Sequence, residues 1–203
     1  PRYTECRLTP LGAEALAAER GDRPPIPIGL VNGDVHAGGR RPPFDPGRVA
    51  DAIARANELT DDEIVAAVGA PTFPFGCTVE GDVGALARGE RVDLVVTARI
   101  EDDGDRDDAI VITGLVPGVA TGEVAGDIQS MVAEPGPAEL GIRDVSDRGS
   151  GRFPDLVRLV VELRPGADRE AVRARLLGLW SIRQPLEAQL PEPLAVAIRR
   201  FVV

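Results

Sequence analysis

The order of patterned segments predicts an α+β fold, and three observations carry that expectation. RVDLVVTARIE (Arg91 to Glu101) places Val92, Leu94, Val96, Ala98 and Ile100 on one face at a spacing of two, the signature of a half-buried strand. The polar turn DDGDRDD follows, and AIVITGL then reads as the returning strand of an antiparallel hairpin. Around this hairpin lie stretches at helical spacing, such as Val49, Ala52, Ile53 and Ala56 after the cap-and-proline start Asp45-Pro46. Strands that return directly, mixed with helices, point to α+β rather than to a parallel βαβ sheet.

Taken in order, Thr9-Pro10 reads as an N-cap with a first-turn proline ahead of the Ala-rich helix LGAEALAAER. GDRPPIPIGL breaks regular structure, with a short apolar strand or turn around Ile28 to Val31, and VNGDVHAGGRRPPFDP is a Gly- and Pro-rich loop. Thr60-Asp61-Asp62-Glu63 is a capping box that starts a brief helix through Val68. Beyond the hairpin, Val124, Ile128 and Val132 predict a helix over 122–132. LVRLVVEL (Leu156 to Leu163) predicts a strand, and Pro165-Gly166 turns into a helix with Val172, Leu176 and Leu179 inward. A last helix is expected from about Pro193 to Val202.

At 203 residues and 43% apolar content the chain is long enough to bury a core, in one large domain or two small ones. Aromatics make up only 3%, so Leu, Val, Ile and Ala supply most of that core, with Trp180 and five Phe as its large fillers. No run of 18 apolar residues and no basic-then-apolar leader is present, so no membrane association is expected and the cytoplasm is the default location. Cys6 and Cys77 lack CxxC spacing and read as two reduced thiols. His36, in a Gly-rich loop, reads as a solvent-facing histidine, and the glycines of NGD and GGRR lack the spacing of a phosphate-cradling loop.

All 23 basic residues are arginine, and the formal charge is -10. Residues 1 to 60 hold 8 Arg against 8 acids, whereas residues 61 to 203 hold 15 Arg against 25 acids. Nucleic-acid affinity comes from neutralising phosphates, so by this balance the chain alone is a poor DNA binder. The five acids of the DDGDRDD turn read as a solvated hairpin tip, and Arg143, Asp144, Asp147 and Arg148 as a structural charge cluster at a strand end. Tyr3 is the sole tyrosine, and composition alone makes it an ordinary surface residue.

RYTECRL, IGLVNG, GAPTFPFG, ALARGERVDLVVTARIE, AIVITGLVPGV and GIRDVSDR followed by LVVEL occur in an order that resembles the breakage-reunion region of the type IIA DNA topoisomerase A subunit, as in DNA gyrase and topoisomerase IV. The resemblance implies that residues 1–25 are the tail of the winged-helix DNA-gate domain and residues 26–203 a tower-like α/β domain, a mixed-sheet platform with a β-hairpin and packed helices. It implies double-strand DNA cleavage and religation, with Tyr3 as the nucleophile and Arg2 as electrostatic stabiliser. Arg7, Arg40, Arg41 and Thr121 fall where the family approaches DNA. A homodimer, a partner B subunit, and magnesium and ATP brought by that partner are further implications, with no metal or cofactor held by this chain itself.

The chemistry sets a requirement on this pair. A tyrosine hydroxyl conserves the bond energy of the cut strand as a phosphotyrosyl ester. With an ordinary pKa of ~10, about one tyrosine in a thousand is ionised at neutral pH, so roughly 4 kcal/mol of activation must come from neighbours. A guanidinium such as that of Arg2 stabilises both the phenolate and the charge that develops on the phosphoryl oxygens.

Departures from the family pattern keep a second reading open. After VNG the sequence runs DVHAGGRRPPFD, shorter than in the family and without the isoleucine that wedges between bases; Val35 or Ala37 is a feeble substitute. The family's IPYQVNK-like run is LVPGVAT here, with Thr121 in place of the lysine. The alternative is therefore a non-catalytic remnant acting as a protein-interaction or regulatory module, and in either case the isolated chain is expected to be inactive.

Overall fold

A computed structural model describes residues 42–73, 75–104, 106–133, 141–149 and 157–202. The elements predicted around Thr9-Pro10 and Ile28, together with Cys6 and His36, lie outside the described residues. Within them the chain is α+β, with six helices and two antiparallel sheets.

The helices begin where side chains satisfy the first free backbone N–H groups. Helix α1 (Pro46–Arg55) opens with Asp45 accepting from the Arg48 N–H at 2.9 Å and Pro46 in the first turn. Helix α2 (Asp61–Val68) starts with the predicted capping box, in which Thr60 N–H donates to Glu63 Oε2 at 2.8 Å and Glu63 N–H to Thr60 Oγ1 at 3.3 Å. A short strand β1 (Thr78–Glu80) and a five-residue helix α3 (Val83–Ala87) precede strand β2 (Val92–Thr97). Then come β3 (Ile100–Asp102), β4 (Ala109–Ile112), α4 (Thr121–Ala133), β5 (Ile142–Asp147) and β6 (Leu159–Leu163). Helix α5 (Arg169–Leu176), capped by Asp168, strand β7 (Arg183–Ala188) and helix α6 (Leu194–Arg199) complete the order of elements.

The predicted hairpin is corrected in one respect. The alternating run Arg91 to Glu101 is two strands in two sheets: β2 lies between β1 and β7, and β3 pairs with β4 in the order β3-β4-β6-β5. Ala98 and Arg99 form the corner. Ala98 N–H donates to Ile182 O at 2.7 Å, and Thr113 N–H to Arg99 O at 2.9 Å, so each side of the corner is tied to a different part of the fold. Only the short β3 meets the returning strand, with Ile100 opposite Ile112 and Asp102 opposite Ile110. Alternation persists through the corner because Val92 and Leu94 pack on one apolar core and Val96, Ala98 and Ile100 on the other, and period alone does not register a change of sheet.

Two apolar cores result. One packs α4 and α5 against the four-stranded sheet through Ile110, Ile112, Val124, Ile128, Leu159, Val161, Val172 and Leu176. The other gathers Val49, Ile53, Ile64, Val68, Leu86, Leu194 and Ile198 from the remaining helices, with Phe44 from the segment ahead of α1. Strand β2 serves both, with Val96 in the first and Leu94 in the second. Phe44 and Phe73 are the expected large fillers, whereas Trp180 is 63% exposed and Phe75 40%. Trp180 sits in the turn between α5 and β7, beyond the last buried position of the helix.

A close crossing holds the first core together. Leu115 N–H donates to Phe75 O at 3.1 Å, and Gly114 lies so near that a Cβ there would stand 2.7 Å from the Phe75 and Gly76 carbonyl oxygens. Backbone on both sides leaves no flexible group to move aside. Gly126, in the middle of α4, faces open space. Gly114→Ala is therefore expected to lower stability by about 1–3 kcal/mol, while Gly126→Ala raises it by about 0.5–1 kcal/mol through helix propensity. Urea unfolding midpoints of the two variants would move in opposite directions; equal midpoints would contradict the packing.

Candidate nucleic-acid interface

Thr121 is the predicted site residue that falls within the described residues. Tyr3, Arg2, Arg7, Arg40 and Arg41 lie outside them. Thr121 is the first residue of α4 and is half-buried. The loop that delivers it is built in steps from the crossing at Gly114. Leu115 and Val116 are buried anchors, at 4% and 0% exposure. Pro117-Gly118 then makes a tight turn, with Val119 N–H reaching back to Val116 O at 3.3 Å and Gly118 at φ 82. Proline presets the first corner of such a turn and glycine accepts the positive φ of the second. The Gln184 side-chain amide donates to Pro117 O at 3.3 Å, fixing the loop to β7, and Ala120 O accepts from Glu123 and Val124 as the helix begins.

The crossing thus joins two of the sequence segments singled out above, GAPTFPFG and LVPGVAT, through an isolated parallel bridge between Gly76 and Leu115. The surface they offer is neutral to acidic. Thr121 carries no charge, and the first turn of α4 contributes Glu123. A hydroxyl at a half-buried helix start supplies none of the phosphate neutralisation that a lysine would bring.

Arginine elsewhere is spent on internal pairing. Glu162 on β6 is a hub: Arg106 Nη1 lies 2.9 Å from its carboxylate, Arg148 Nη2 3.7 Å, and Arg143 also donates to it. Hydrogen bonds from Arg143 and then Arg106 hold the Glu162 carboxyl below its ordinary range. Asp102 receives Arg169 at 2.7 Å and Arg173 at 2.8 Å, and the Arg169 hydrogen bond is the first cause of its lowered pKa. Asp103 is buried at 8% exposure and faces Arg158 at 3.3 Å. The acids of the hairpin turn are therefore not a freely solvated tip; Asp102, Asp103 and Asp108 each hold an arginine. The structural cluster expected at Arg143 to Arg148 is real, but its centre is Glu162 on the neighbouring strand. Asp144 and Asp147 instead accept backbone N–H groups of Val145 and Gly149.

Among the described residues Arg48, Arg55, Arg99, Arg164 and Arg175 carry no ion pair, and Arg164 donates instead to Ile142 O at 3.1 Å. Cys77 is buried, and desolvation pushes its thiol up to about 11, so it stays protonated and unreactive at neutral pH. No group of three or more His, Cys, Asp or Glu arranged to hold a metal ion occurs among the described residues. No helix among them is long and apolar enough to cross a membrane.

No family profile matches the chain. Proteins similar to it include the A subunit of DNA gyrase from Haloquadratum walsbyi (strain DSM 16790 / HBSQ001), 31% identical over 210 residues that cover 87% of this chain and 23% of that protein. The chloroplastic/mitochondrial DNA gyrase A protein of Arabidopsis thaliana is 28% identical over 200 residues, covering 82% of this chain and 20% of that protein. The chain spans less than a quarter of the length of these relatives. The similarities support a gyrase A-like relationship.

The Glu162 hub generates a pH-dependent prediction. Its carboxyl is lowered in the folded state, so the hub stabilises the fold above the ~4.3 of an unfolded glutamate and loses that contribution as pH falls through the folded value. Glu162→Gln is expected to lower the urea midpoint at pH 7. The gap from the parent should close as the pH is taken from about 4.3 downward. A gap that stays constant on acidification would show that the carboxylate charge is not what the three arginines stabilise.

Proposed function

We propose that this chain is a stretch of the A subunit of a type IIA DNA topoisomerase, and that Tyr3 cuts and rejoins DNA. The observation that carries the reading is the similarity to gyrase A extending over 87% of the chain. In this reading residues 1–25 end the winged-helix DNA-gate domain and residues 26–203 form the tower-like domain, whose α+β character the described residues share.

The phenolate oxygen of Tyr3 attacks a backbone phosphorus. A P–O bond to tyrosine forms as the P–O bond to the leaving deoxyribose oxygen breaks, and that oxygen takes up a proton. Religation is the reverse, and since the phosphotyrosyl ester keeps the bond energy, resealing needs no nucleotide. Arg2 stabilises the phenolate and the phosphoryl charge. Magnesium and ATP would be brought by the B subunit. Among the described residues no group of three or more His, Cys, Asp or Glu is arranged to hold a metal ion.

The acidic balance and the internally paired arginines fit a stretch that contributes little grip of its own. Affinity for DNA would then come from the homodimer and its B subunits, with this stretch placing the strand.

The reading is tested with the full-length protein that carries these residues, its B subunit, magnesium and supercoiled plasmid, quenched with detergent. A covalent protein-DNA adduct is expected, and Tyr3→Phe should abolish it while leaving duplex binding intact. An unchanged adduct in Tyr3→Phe, or none with the parent protein, would overturn the assignment.

A further inference from the structure

The corner between β2 and β3 leaves a shallow, open depression of about 240 Å³, lined by Thr78, Ala98, Arg99, Ile100, Arg173 and Leu177. We propose that this depression seats one backbone phosphate of a nucleic-acid strand, with Arg99 as the residue that grips it. The inference rests on the topoisomerase reading for the identity of the ligand and on the following features for the site.

Arg99 is exposed and has no ion-pair partner among the described residues, in a fold where most of the described arginines are paired. Its guanidinium lies over the backbone of Gly76, where a Cβ would be 3.7 Å from Nη2. That glycine belongs to the crossing that carries the Leu115–Thr121 loop. The cation therefore borders the crossing from which the loop to Thr121 departs.

The opposite wall carries Arg173, held in place by bonds from Nη1 to Ile100 O at 3.0 Å and from Nη2 to Asp102 at 2.8 Å. Its Nε is buried and makes no hydrogen bond, with the exposed Glu170 carboxylate 3.7 Å away. Arg169 leans on the same Asp102 and Glu170 faces Arg173, so these four charges balance and Arg99 is the unpaired cation in the lining of the depression. Ala98, Ile100 and Leu177 supply the apolar part of the lining. The Thr78 hydroxyl is already committed to Thr97 O at 3.3 Å, and the neighbouring Cys77 thiol stays neutral, so neither supplies a competing negative charge.

Shape selects the ligand class. A free small anion is held by a concave pocket that covers most of its surface. An open dish with one unpaired guanidinium and one fixed beside it suits an oxyanion presented by a polymer lying across the surface, where each contact is weak and many are made.

The experiment measures duplex binding by the full-length protein, parent and variants, over a series of salt concentrations. Arg99→Ala is expected to weaken binding roughly tenfold at moderate salt and to reduce the salt slope by about one. Arg55→Ala, an unpaired arginine on α1, is the control and should change neither. Because neither Arg99 nor Arg55 carries an ion pair among the described residues, both variants should keep the parent's unfolding midpoint. Unchanged affinity and slope in Arg99→Ala would overturn the proposal. So would binding of inorganic phosphate in the depression with no effect of the substitution on DNA, or a loss confined to binding of the B subunit. The covalent adduct at saturating DNA reports on Tyr3 and the salt series on Arg99, so failure of one reading is distinguishable from failure of the other.

Discussion

The architecture depends on one constraint, that strand β2 must serve two cores. Leu94 faces the helical core and Val96 the core under the four-stranded sheet, and both are fully buried. A strand with that duty has to leave its sheet within a residue or two of its last buried side chain. Ala98 permits this because it is small and sits at 3% exposure against Ile182. The next residue, Arg99, is turned outward while its carbonyl accepts from Thr113. The same corner therefore joins the sheets, anchors the loop toward Thr121 and sets an arginine at the edge of a depression.

Among the described residues arginine acts mainly as a cross-link. Its planar fork can bind a carboxylate and a carbonyl at once, which lysine does less well. Arg199 illustrates the role: it donates to Asp61, Ala56 O and Leu59 O, fastening the last helix to the turn between the first two. Arg173 does the same between α5 and β3. In a chain of net charge -10 these bonds remove like-charge repulsion where acids crowd, as at the hairpin turn and around Glu162. Exposed pairs of this kind contribute little singly, and their effect lies in networks that fix one arrangement of strands.

Much of the fold was legible where local chemistry and packing agree. Asp45-Pro46 and the Thr60 capping box announce helices whose first turns need those side chains, and the helix from Thr121 shows its buried stripe at Val124 and Ile128. Legibility failed where tertiary context decides. Strand β7 contains Pro185, which argues against a strand until it is seen at a sheet edge, opposite Val95, where a missing N–H costs nothing. Strand β5, IRDVSD, reads as a charge cluster because only Ile142 and Val145 are buried. The corner at Ala98 left no trace in the period. At the candidate site, the loop around Thr121 was legible as a segment, but the depression was not. It needs Arg99 and Arg173, which lie on separate elements far apart in sequence, and no local pattern joins them.

Net charge is a poor guide to such a site. At physiological salt the Debye length is about 8 Å, so an exposed phosphate feels the few charges beside it more than the sum over the chain. The overall excess of acid weakens long-range attraction and keeps this stretch from binding polyanions indiscriminately. A single guanidinium left unpaired at a defined corner, next to another that shares its carboxylate, can still orient a strand that other parts of an assembly deliver. Internal pairing of most of the described arginines thus sharpens the role of the few left over: it removes a diffuse basic surface and leaves a defined phosphate contact as what this part of the molecule can contribute.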